Sequence, residues 1–68
     1  MSMFAKNLVD LRKEKNLTQK DVGDALGVSL FTVSGWERKG KEPDYDTLIK
    51  IALYFNISID ELLGLKDL

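Results

Sequence analysis

The side chains that most often carry catalysis are missing from this chain. Its 68 residues include no histidine and no cysteine. That removes the usual zinc ligands, disulfides, and the Ser–His and Cys–His nucleophile pairs. One adjacent carboxylate pair, Asp60-Glu61, has the look of a general acid/base couple. Its spacing from Ser58 supports a simpler account, because Ser-x-x-Glu is a capping box that occupies the Glu61 carboxylate at a helix start. The acids Glu42, Asp44 and Asp46 likewise read as helix-start chemistry. What remains is donor chemistry: Lys, Arg and Gln side chains able to hold an anion without reacting with it. We therefore expect no enzyme, no metal and no cofactor, and no small-molecule site is evident.

The donors are unevenly distributed. Net charge is −1, but residues 1–41 carry eight bases and five acids, a net of +3, while residues 42–68 carry two bases and six acids, a net of −4. An asymmetry of this kind implies that one face meets an anion and the other does something else. Random scatter over a solvated surface is the alternative, so the motifs must decide.

The elements that position these donors read as helices. Sixty-eight residues allow one domain, spanning 1–68, near the lower size limit for unaided folding. No apolar run is long enough to cross a membrane and no signal-peptide core opens the chain, so the cytosol is the expected compartment. Apolar residues recur at helical spacing: Phe4, Leu8 and Leu11; Val22 and Leu26; Val33 and Trp36; Leu48, Ile51, Ala52 and Phe55; and Leu62 with Ile59 or Leu63. Three starts share one pattern, an apolar residue, a hydroxyl cap and an apolar residue four positions after the cap: Leu17-Thr18…Val22, Val28-Ser29…Val33 and Ile57-Ser58…Leu62. Pro43-Asp44 opens the fourth such segment. Asn16, Gly27, Asn56 and Gly64 stand where left-handed residues close helices. The result is an all-α domain with helices at about 3–15, 19–26, 30–38, 45–55 and 59–63.

The second and third helices are separated only by Gly27-Val28-Ser29, a turn short enough to set them at a steep angle. Gly23, inside the second helix, costs up to about 1 kcal/mol of helix propensity and so points to a close approach there. Val22, Leu26, Val28, Val33 and Trp36 then face inward from both helices. Residues 19–38 form a helix-turn-helix.

Over residues 4–64 the chain resembles the Cro/cI-type (xenobiotic-response-element-type) helix-turn-helix family of prokaryotic and phage transcriptional regulators. The resemblance is carried by Leu11-Arg12, Leu17-Thr18-Gln19, Gly27-Val28-Ser29, Val33-Ser34, Trp36-Glu37-Arg38, Pro43, Leu48 and Asp60-Glu61-Leu62-Leu63. It implies a compact five-helix, lambda-repressor-like domain with the third helix in the DNA major groove. It also implies dimerisation through the fifth helix and the loop before it, a phosphate-contacting glutamine at Gln19, and a buried scaffold pair between Arg12 and Glu37.

The residues themselves indicate which side chains meet DNA. With Val33 and Trp36 turned to the core, the opposite face of the third helix shows Leu30, Phe31, Ser34, Gly35 and Arg38, the candidates for base contact. Leu30 and Phe31 can read only thymine methyls, Ser34 offers one weak contact, and Gly35 leaves a gap. Gln19, Lys20, Thr32, Lys39 and Lys41 are the candidates for phosphate contact. The partner implied is double-stranded DNA, and the function a sequence-specific transcriptional regulator, most simply a repressor. The apolar Leu30 and Phe31 keep a second reading open, a protein-interaction module such as the antitoxin of a toxin pair. Trp36 and Phe55 read as core, and Tyr54 as core or interface.

The segment 54–68 crowds Ile57, Ile59, Leu62, Leu63, Leu65 and Leu68 around a short helix. From this crowding Ile59, Leu63 and Leu65 are expected to form a homodimer patch. The alternatives are a tail packed on its own domain and a connection to a longer protein. A two-fold dimer would set its recognition helices about 34 Å apart and read an inverted repeat.

Overall fold

Each helix after the first begins at a side chain that satisfies its own opening turn. In the computed structural model, which describes residues 3–68, the elements are α1 (Met3–Glu14), α2 (Gln19–Leu26), α3 (Leu30–Arg38), α4 (Tyr45–Phe55) and α5 (Ile59–Leu63), with no strand among the described residues. The hydroxyls of Thr18, Ser29 and Ser58 and the carboxylate of Asp44 each accept the backbone N–H three residues on, at 2.9–3.1 Å. Such caps satisfy amides that the helix itself leaves without partners. Ser58 and Glu61 close the capping box anticipated from their spacing. Thr18 and Asp21 close a second one, with Asp21 in the place usually taken by Glu.

Helix ends are as local as the starts. Asn16, Gly27, Asn56 and Gly64 all take positive φ. The stop at Asn16 ends α1 at Glu14, one residue before the sequence reading, because the Asn16 N–H already turns back to the Lys13 carbonyl at 3.0 Å. The first two residues of the expected 1–68 domain lie outside the described residues.

All five helices contribute to one core. Leu8, Val22, Val33, Ile51 and Leu62 are fully buried, with Trp36 and Phe55 nearly so, and Leu17, Val28, Leu48, Ile57 and Ile59 pack around them. Each fully buried aliphatic side chain contributes about 1.5–3 kcal/mol. The buried Asn7 on α1 donates through Nδ2 to the carbonyls of Glu61 and Leu62, at 3.1 and 3.2 Å. It thereby satisfies the closing turn of α5 and ties the two ends of the chain together. At the α2–α3 corner the Val28 N–H bonds the Gly23 carbonyl at 2.9 Å. A β-carbon on Gly23 would lie 2.7 Å from the Val28 carbonyl oxygen. The helix-turn-helix requires glycine there.

Candidate nucleic-acid interface

Three helices converge on the Glu37 carboxylate. Arg12 of α1 donates to it twice, Nε to Oε2 at 2.8 Å and Nη2 to Oε1 at 2.9 Å. Its third nitrogen, Nη1, donates to the Leu17 carbonyl at 3.0 Å. Gln19, the first residue of α2, donates Nε2 to Glu37 Oε1 at 3.0 Å. Glu37 is buried, and the hydrogen bonds it accepts push the Arg12 pKa further up. A bidentate, nearly desolvated pair of this kind fixes geometry more than it adds stability. Here it sets the start of α2 against α3.

A shallow groove runs beside this network, lined by Arg12, Thr18, Gln19 and Lys20 on the α1–α2 side and by Leu30 and Arg38 of α3. Gln19 thus stands at the groove with one amide hydrogen engaged inward and its carbonyl oxygen free of any bond among the described residues. Lys20 is solvent-exposed and pairs with Asp24 one turn on, at 2.8 Å, which raises its pKa. Thr32 is exposed, but its hydroxyl shares a 3.1 Å hydrogen bond with Ser29, so it takes part in the cap of α3.

The outer face of α3 carries Leu30, Phe31 and Arg38 in the open and Ser34 half-buried. Phe31 is 78% exposed. Arg38, Lys39 and Lys41 are all exposed, and among the described residues no ion pair holds them. Gly35 corrects the sequence reading, since it is buried rather than open. The Lys41 side chain lies across it, with Cδ 3.2 Å from where a β-carbon would stand. The reason is the end of α3: Gly40 takes φ +70°, and the chain folds back until the Lys41 N–H reaches the Gly35 carbonyl at 3.2 Å.

On α5 and just beyond it, Leu63 and Leu65 are exposed, while Ile59 is half-buried against the domain's own core. Tyr54 is exposed and meets the buried Phe55 edge-on, with ring centroids 5.0 Å apart. The sequence reading missed an outward stripe on α4. Tyr45, Ile49 and Leu53 follow one another at four-residue spacing and are 86%, 49% and 75% exposed. That spacing was visible in the sequence. Among the described residues no group of three or more His, Cys, Asp or Glu could hold a metal, and no helix is long and apolar enough to cross a membrane.

Comparison with known proteins returns the same architecture. Residues 8–62 match the family described as helix-turn-helix. The chain is 43% identical over 61 residues to the uncharacterised HTH-type transcriptional regulator YqaE of Bacillus subtilis, covering 90% of this chain and 53% of that one. It superposes on the P22 c2 repressor, solved in complex with a synthetic operator, with a TM-score of 0.84 at 28% identity, covering 93% of this chain and 96% of that one. It also matches part of hydroxypropylphosphonic acid epoxidase from S. wedmorenis, with a TM-score of 0.81 at 30% identity over 91% of this chain but 33% of the enzyme. The chain spans about half the length of the curated regulators it matches.

Proposed function

Since the chain belongs to the Cro/cI-type helix-turn-helix family of DNA-binding transcriptional regulators, we propose that it is a repressor that binds an inverted-repeat operator as a homodimer, with α3 in the major groove. The observation that carries this reading is the outward face of α3. Leu30, Phe31 and Ser34 lie along it, and Arg38, Lys39 and Lys41, cations without an ion pair among the described residues, bound its far end.

Each group then has a task. Gln19 and Lys20 meet one phosphate run at the start of α2, where the helix N-terminus adds its own attraction. Lys39 meets the other, with Lys41 following it just past the end of α3, and Thr32 adds a hydroxyl beside it. Leu30 and Phe31 lie against thymine methyls, Ser34 contributes a single hydrogen bond, and Arg38 donates at the end of the face. Gly35, being covered, makes no base contact of its own. With so little direct readout, DNA shape and half-site spacing carry part of the specificity. Leu63 and Leu65 form the dimer patch, with Ile59 supporting it from the core side. Residues 1–68 act as one binding unit in the cytoplasm.

The exposed Phe31 favours one competing reading, in which α3 docks on a protein. Fluorescence anisotropy with duplex DNA from the promoter of the protein's own gene separates the two. The DNA reading expects binding at least tenfold tighter than to a scrambled duplex, weakened by added salt and by Lys39→Ala. Equal binding to native and scrambled duplexes at low salt overturns it. For the dimer, sedimentation of the intact chain and of Leu63→Glu is expected to show a dimer reduced to a monomer. Monomers in both remove the proposed interface.

A further inference from the structure

Gly35 sits where the reading face of α3 needs a polar group, and another residue occupies its place. Three features bring Lys41 there. Gly40, at φ +70°, reverses the chain just past α3. The Lys41 N–H then bonds the Gly35 carbonyl at 3.2 Å, which fixes the backbone of the loop against the helix. Finally the Lys41 stem runs over the bare Cα of Gly35, with Cβ, Cγ and Cδ at 3.9, 3.8 and 3.2 Å from the absent β-carbon. Any side chain at position 35 would press on this stem. A glycine inside a helix is otherwise costly, so a seat for Lys41 is the packing reason for keeping it.

We infer that Lys41 is a specificity-determining residue: its methylenes cover Gly35 and its ammonium serves as a base-reading group at the place on the face of α3 where Gly35 offers none. This inference rests on the proposed entry of α3 into the major groove. A lysine stem that buries its carbons along an apolar surface keeps its charged end in solvent. Among the described residues no carboxylate pairs with Lys41. The edge of a base pair that suits an ammonium is the guanine O6/N7 pair of acceptors; Arg38 can donate to such an edge only from the far end of the face, and no side chain from Leu30 to Ser34 can donate there strongly. Seated on Gly35, Lys41 is thereby distinguished from Lys39, which keeps the role of a phosphate contact.

Selection of binding sites from a randomised duplex library tests this, using the wild-type chain, Lys41→Met and Gly35→Gln. Methionine keeps an apolar stem over Gly35, and circular dichroism of each variant establishes that it folds. The wild type is expected to enrich guanine at one position of each half-site. Lys41→Met should lose that preference by about tenfold or more while keeping the rest of the consensus. Gly35→Gln, which displaces the stem, should change the preference at the same position. A consensus unchanged in Lys41→Met, with affinity uniformly lower, makes Lys41 a phosphate contact and overturns the inference while leaving the DNA reading intact. A wild-type chain that enriches nothing overturns the DNA reading and this inference together.

Discussion

Glu37 holds Arg12 and Gln19 at once, so the effect of removing its carboxylate extends beyond one contact. Glu37→Ala leaves the Arg12 guanidinium without its buried partner and should cost about 3–5 kcal/mol in urea unfolding. Replacing both ends together, Arg12→Met with Glu37→Leu, should cost far less. Equal losses in the two would show that the charge is not what matters. At Gly23, Ala would gain helix propensity but push on the Val28 carbonyl at 2.7 Å. Overpacking against backbone wins, and Gly23→Ala should lower the urea midpoint by a destabilisation of about 1–3 kcal/mol with the slope unchanged. An equal or higher midpoint would contradict the close approach. Single residues were unevenly legible in the sequence. The need for Gly23 could be read because a short turn forces helices together. The covering of Gly35 could not, since it depends on where a side chain six residues later comes to rest.

Helix ends were the most legible elements, because a cap is decided within about four residues of chain. The same locality gives a testable acid sensitivity. Hydrogen bonds from the capped turns lower the carboxyl pKa values of Asp21, at Thr18, Asp44, at Thr47, and Glu61, at Ser58. A depressed folded-state pKa contributes stability that is present above the ordinary carboxylate range and lost as pH falls through the lowered values. The melting temperature should therefore be nearly flat between about pH 7 and pH 5 and fall below about pH 4. A variant with Asp21→Asn, Asp44→Asn and Glu61→Gln should start lower and decline less steeply. Parallel curves for the two would place the acid sensitivity elsewhere. Least legible at this scale was the second face of α4, where Tyr45, Ile49 and Leu53 keep helical spacing but point away from the core. Periodicity alone does not say which of two apolar stripes is buried.

For the whole molecule, the net charge of −1 conceals a cationic amino-terminal segment that carries the helix-turn-helix and an anionic carboxy-terminal one that carries α4 and α5. DNA binding should consequently weaken with salt, by a slope of about −0.9 for each phosphate neutralised. Lys39→Ala should reduce that slope by about 1, while Lys66→Ala, beyond α5, should leave it unchanged. Equal effects from the two would mean that bulk charge, not the α3 surface, governs binding. The proposed DNA-facing surface is α3 together with the start of α2. The most direct test is an NMR titration of the isotopically labelled chain with its promoter duplex, following every backbone amide. Saturable shifts are expected to concentrate at residues 18–20 and 30–41, with residues 59–68 affected only through dimerisation. Shifts confined to α4 and α5, or no saturable shift at all, would contradict that assignment.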